Sequence, residues 1–125
     1  MLRNHHPRKH IKSFHFAFKG IFHTLINEAN FRAQLTISLI VASLGIHVGI
    51  STTEWAILTL SMGMLLSAEM INTVIENVMG ALFQEYHDAV AVIKDVSAGF
   101  VLITAVTAFI NLILIFGRPL ITLIT

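Results

Sequence analysis

An all-α integral membrane protein, with one amphipathic surface helix ahead of three transmembrane helices, is the fold class this chain predicts. Three observations predict it. The 125 residues are 55% hydrophobic and 12% charged, with a mean hydropathy of +0.79, too apolar for a soluble domain. Three apolar stretches each reach the roughly 20 residues that a helix needs to cross a bilayer. Ahead of them, "IKSFHFAFKGIFHTLI" alternates apolar and basic residues at helical spacing.

That leading segment, about residues 8–27, reads as a helix lying in the membrane interface. Phe14, Phe18, Ile21, Phe22, Leu25 and Ile26 form one stripe, and Lys12, His15, Lys19 and His23 form the opposite one. Phe16 breaks the pattern by projecting into the basic stripe, where an apolar ring gains nothing from lipid. It is either a tolerated exposed aromatic, or packed on another subunit, or a ring that receives a nucleotide base or lipid headgroup. Arg3, Arg8, Lys9, Lys12 and Lys19 fall in residues 1–27 with no acid among them, although the whole chain carries only +1. Followed by apolar spans, this basic arm points to a membrane surface and not to nucleic acid. It does not read as a secretory signal, since charges and histidines interrupt its apolar residues.

The transmembrane helices are expected at about 29–50, 54–80 and 95–117, within a single membrane domain, with a cytoplasmic loop at 81–94. The link "GISTTE" makes the first two an antiparallel hairpin. Arg118-Pro119 is expected to stop the third, because proline cannot continue the helical hydrogen bonds. The positive-inside rule puts the basic N-terminus in the cytoplasm, so Glu54 and Trp55 would mark the outer interface.

The candidate chemistry lies in "EMINTVIEN". Glu69, Asn72 and Glu76 follow a chargeless run from Trp55 to Ala68, and at about 100° per residue they share one helical stripe. A carboxylate at that depth costs about 2.5–3.5 kcal/mol to insert, so it reads as functional by default; the bland reading is a protonated Glu69 bonded to a neighbouring helix. Glu28 and Asp95 fall near the same membrane level. A Glu28–Glu76 pair suits a hard divalent cation whose shell phosphate oxygens complete, and Lys94 supplies a counter-charge to phosphate. Asp95 also suits an ordinary N-cap, and Arg32 either snorkels or pairs with Glu28. His6 and His10, beside Pro7, do not make a convincing zinc site. There is no cysteine, no Walker A sequence and no serine–histidine elbow. Two classes remain from the residues alone: an enzyme acting on a membrane-embedded alcohol, or a small proton-coupled transporter with Glu69 as carrier.

The segments "INEANFR", "AEMINTVIE" and "EYHDAVAVIKDVSAG", in this order, resemble the prokaryotic diacylglycerol kinase family, which includes the undecaprenol kinases. The resemblance covers residues 9–117. It implies an ATP- and Mg2+-dependent kinase, a homotrimer in the bacterial inner membrane, that phosphorylates a lipid alcohol, undecaprenol or diacylglycerol, at the cytoplasmic face. By position it makes Glu69 the catalytic base with Asn72 beside it, and Glu28 and Glu76 the metal ligands. It assigns the nucleotide to Lys94, Asp95, Glu85, Tyr86 and His87, with Lys9, Lys12 and Phe16 on the surface helix. Gly80 departs from the family's aspartate four residues after the second glutamate, which implies a weakened site or a catalytically impaired member.

Overall fold

The computed structural model describes residues 7–125, with side chains from residue 11 onward. The side chains of Lys9, His6 and His10 lie outside the described residues. Four helices follow one another: α1 (Pro7–Asn27), α2 (Ala29–Val48), α3 (Thr52–Leu82) and α4 (Asp88–Ile124). No strand occurs among the described residues, and α2, α3 and α4 are each long and apolar enough to cross a membrane. The expected fold class therefore holds.

Proline opens α1, where its missing N–H costs nothing. The helix ends at a one-residue break: Glu28 is extended, at φ −107° and ψ 109°, and α2 starts at the next residue. The last carbonyls of α1 would be unmet there. Asn27 Nδ2 donates to the carbonyl of His23 at 2.8 Å. Arg32 reaches back from α2, its Nη1 donating to the carbonyls of Leu25 at 3.2 Å and Ile26 at 2.6 Å. Arg32 thus neither snorkels nor pairs with Glu28. A cation at the negative end of a helix is favourable, and this leaves the Glu28 carboxylate free.

The α2–α3 turn is a tight hairpin. Gly49 takes the left-handed conformation at φ 75°, which other residues resist, and both Gly49 and Ile50 donate to the Gly45 carbonyl. Ser51 and Glu54 then form a capping box: the Ser51 N–H donates to Glu54 Oε2 at 2.7 Å and the Glu54 N–H to Ser51 Oγ at 3.2 Å. Such a cap stabilises a helix start by about 1 kcal/mol. Its S-x-x-E spacing is readable in "STTE". The helices cross closely here, because a Cβ on Gly45 would lie 3.1 Å from the Trp55 ring and from Ile50 Cδ1.

The remaining boundaries differ from expectation in two places. The link between α3 and α4 is Phe83–His87 and not 81–94, since α4 begins at Asp88. Asp88, and not Asp95, is the first-turn acid, and His87 occupies the N-cap without a side-chain bond; Lys94 and Asp95 therefore lie inside the helix. At the other end α4 runs through Pro119 to Ile124. Proline there forfeits one backbone hydrogen bond, whereas ending the helix in an apolar setting would strand several carbonyls. Thr122 Oγ1 also bonds back to the carbonyls of Arg118 and Pro119.

The core is shared mainly by α3 and α4, with Leu58, Met62 and Leu65 against Ala108, Ile115 and Phe116, and Ile50 from the turn. At 31 and 37 residues, α3 and α4 are roughly 46 and 55 Å long, well beyond a hydrocarbon layer of about 30 Å. Each must therefore tilt or project past that layer at one end or both.

Candidate active site

On α3 the stripe predicted from spacing is real, and it divides by depth. Glu69, Asn72 and Thr73 are buried while Glu76 is exposed. Glu69 is only 3% accessible. It is held by Gln34 of α2, whose Nε2 donates to Glu69 Oε2 at 2.9 Å. Asn72 turns the other way, its Oδ1 accepting from Ser97 Oγ of α4 at 2.8 Å. Thr73 Oγ1 returns to the Glu69 carbonyl at 3.0 Å, so the hydroxyl satisfies itself locally. One turn of α3 thus ties together all three spanning helices through polar side chains, bonds that contribute about 0.6–2 kcal/mol each inside a membrane.

These two pairings set the register of the remaining candidates. From Glu69, Glu76 is seven residues along α3; from Gln34, Glu28 is six residues back along α2, which runs antiparallel. On the other side, Glu76 is four residues from Asn72, and Lys94 is three residues from Ser97. Glu28, Glu76 and Lys94 consequently share one level, about 10 Å along the axis from Glu69. Neither glutamate side chain is tied up. Glu28 stands at the N-cap position of α2 yet makes no capping bond, and Glu76 is exposed with no side-chain partner.

The other predicted residues are more dispersed. Lys94 and Asp95 are exposed on α4. Glu85, Tyr86 and His87 form the link, Tyr86 at 81% accessibility and His87 edge-on to Phe83 with centroids 5.7 Å apart. Lys12 and Phe16 are exposed on α1, where Phe16 sits 6.0 Å from the His15 ring. The structure does not bring these α1 residues against the α3 stripe within one chain.

Sequence reasoning missed Gln34 and Ser97. Gln34 carried a usable signal, an amide inside an otherwise apolar span; Ser97 carried none, since hydroxyls in membrane helices commonly bond their own backbone. Deeper still, Asn111 Nδ2 donates to Ser61 Oγ at 2.7 Å, a second α3–α4 cross-link away from the candidate chemistry.

The sequence model of "Prokaryotic diacylglycerol kinase" matches residues 15–116, a range that holds the whole polar layer just described. The chain belongs to the prokaryotic diacylglycerol kinase family. Relatives agree. The "Undecaprenol kinase" of Bacillus subtilis (strain 168) is 35% identical over 105 residues, 84% of this chain and 85% of that protein. The "Diacylglycerol kinase" of Escherichia coli (strain K12) is 28% identical over 101 residues, 81% of this chain and 83% of that protein. A "Diacylglycerol kinase" of Synechocystis is 28% identical over 99 residues, covering 78% of this chain and 57% of that longer protein. Family membership makes the chain a membrane lipid kinase, and a kinase of this family implies ATP as co-substrate. Nothing favours the transporter alternative.

Proposed function

We propose that this kinase transfers the γ-phosphoryl group of ATP to the hydroxyl of a membrane lipid alcohol, with undecaprenol favoured over diacylglycerol because the relative named for undecaprenol is the more similar of the three. The observation that carries the mechanism is the buried Glu69 carboxylate, oriented by Gln34, about 10 Å along α3 from a level of free carboxylates and a lysine. A lipid hydroxyl cannot leave the bilayer cheaply, so its base has to sit at interface depth.

In this reading the lipid O–H proton passes to Glu69. The lipid oxygen forms a bond to the γ-phosphorus, the bond from that phosphorus to the bridging oxygen breaks, and ADP leaves. Asn72, fixed by Ser97, flanks the reacting hydroxyl. Phosphoryl transfer asks mainly for positioning and charge neutralisation, and Lys94, Asp95, Glu85, Tyr86 and His87 are assigned to the nucleotide on the watery side. Lys9, Lys12 and Phe16 on α1 complete that assignment; a homotrimer, with sites built between subunits, would let α1 of one chain serve another.

Mg2+ suits the donor set. Glu28 and Glu76 are hard oxygen donors without competing partners, and no cluster of three histidine or acidic side chains occurs among the described residues. Two carboxylates fit a cation that keeps water and phosphate oxygens in its shell. When bound, the ion would offset the negative charge of the phosphates. The basic arm favours a cytoplasmic N-terminus in the bacterial inner membrane. The test is ATP consumption in detergent micelles, with undecaprenol and diacylglycerol compared. Faster turnover with undecaprenol is expected; turnover with neither lipid overturns the reading.

A further inference from the structure

Gln34 makes only half of the hydrogen bonds its amide can make with Glu69. Its Nε2 donates to Glu69 Oε2 at 2.9 Å. Its Oε1 is buried with no hydrogen-bond partner, alone in this among the described buried side-chain atoms. Leaving a buried acceptor unmet is costly in itself, and natural proteins rarely do so without a use for it. The atom adjoins the one carboxylate that the proposed reaction protonates.

The chemistry of the pair suggests what fills the vacancy. A primary amide and an ionised carboxylate form one hydrogen bond, because the carboxylate only accepts. A primary amide and a neutral carboxylic acid can form two, closing a ring: the amide N–H donates to the acid carbonyl, and the acid O–H donates to the amide oxygen. We propose that Gln34 is a positioning residue that holds Glu69 by one bond before phosphoryl transfer and by two after it, its free Oε1 accepting the O–H that Glu69 gains from the lipid alcohol. The proposal rests on Glu69 being the proton acceptor. The proton leaves the lipid oxygen, resides on Glu69 shared toward Gln34 Oε1, and passes to water when product departs, which restores the carboxylate.

The surroundings leave this role to Gln34. The cation on α2 nearest in sequence, Arg32, is occupied by the carbonyls of α1. Glu28, at the head of α2, stands at the level of Glu76 and not of Glu69. His47 is at the far end of α2. On α4, Lys94 and Asp95 are exposed, and Asn72 is committed to Ser97. None of these groups hydrogen-bonds to the Glu69 carboxylate. Gln34 itself donates no proton and touches no phosphate, so its effect should fall on turnover and not on binding.

The experiment compares Gln34→Met, which keeps the length but removes both amide atoms, with Gln34→Glu, which keeps an oxygen where Oε1 stands. Wild type and Glu69→Gln are run alongside, with nucleotide binding and thermal melting in detergent as checks on folding. Gln34→Met should lower kcat about 10–100-fold, the range for losing a hydrogen bond to a charged group, with KM for ATP and lipid within about threefold. Gln34→Glu should retain most of the turnover, since a carboxyl pair holding one proton makes the single bond of the resting pair, and the proton taken from the lipid adds the second bond that closes the ring. Full kcat in Gln34→Met, a rise in KM with kcat kept, or equal loss in Gln34→Glu and Gln34→Met with ATP binding intact would each overturn the role. A second readout needs no turnover. In acidified protein the infrared C=O band of the Glu69 acid, identified by its disappearance in Glu69→Gln, should move to higher wavenumber in Gln34→Met; an unmoved band in a variant that melts like wild type overturns the pairing whatever its turnover. If instead Glu69→Gln turns over like wild type, it is the assignment of the base that fails, and the two failures are told apart.

Discussion

The buried and exposed halves of the α3 stripe are built from the same residue types on opposite terms. Glu69 and Asn72 are enclosed, and each is already bonded to a neighbouring helix, at 2.9 Å to Gln34 and 2.8 Å to Ser97. Glu76, one stripe position further on, is exposed and bonded to nothing, and Glu28 at the same level is equally free. A buried polar group must be satisfied by protein, because an unmet one costs about 1–3 kcal/mol. A group facing water has no such debt and can wait for a ligand. The comparison teaches that the fold itself pairs the deep half, whereas it leaves the carboxylates of the shallow half open to water or to a ligand.

The largest effect should come from the deep half. Glu69→Gln is expected to cut lipid-dependent ATP turnover by about 10²–10⁴-fold, the usual contribution of a general base, while equilibrium ATP binding stays near wild type. Unchanged turnover would take Glu69 out of the reaction.

Next come the free carboxylates. Glu28→Ala and Glu76→Ala should each raise the Mg2+ concentration needed for half-maximal nucleotide binding, on the order of tenfold, and change thermal stability little, since neither side chain makes a hydrogen bond or ion pair in the fold. If Mg2+ titrations match wild type in both variants, the exposed level is not a metal site. A drop in melting temperature would break the comparison from the other side.

Ser97→Ala tests the opposite expectation. It strands Asn72 Oδ1, so it should cost about 1 kcal/mol of stability, read as a lower melting temperature in detergent, together with a loss of turnover. Stability equal to wild type would mean that Asn72 finds another donor.

The smallest effect is expected at Gly80. It lies within α3, and an added Cβ there would meet nothing within 4 Å. Gly80→Asp should therefore fold normally, add an acid one turn beyond Glu76, and raise Mg2+ affinity or turnover by less than about tenfold, a gain under 1.4 kcal/mol. A wild-type protein that turns over only once the aspartate is present would make this position decisive.

Much of this molecule was legible in its residues. Apolar length alone predicts three spanning helices, because backbone polar groups in lipid have no partner outside the helix itself. Helical spacing alone puts Glu69, Asn72 and Glu76 on one stripe, and the motif order in "INEANFR" and "AEMINTVIE" already carried the family. Helix ends were less legible. Proline at 119 is a strong stop signal in water, yet α4 continues to Ile124. Asp95 looks like a cap, yet Asp88 is nearer the helix start, and both are acceptable first-turn residues.

What only the tertiary structure decided is which partner each polar group takes. Spacing along α3 cannot say that Glu69 looks to α2 and Asn72 to α4, because that depends on how three helices rotate and slide as they pack. Nor could it tell that Arg32 spends its charge on the carbonyls of α1 and leaves Glu28 free. A single helix fixes the angles between its own side chains through its 3.6-residue turn. Depth, register and hydrogen-bond partner arise between helices, and they separate a carboxylate buried and paired between helices from one left open to the water.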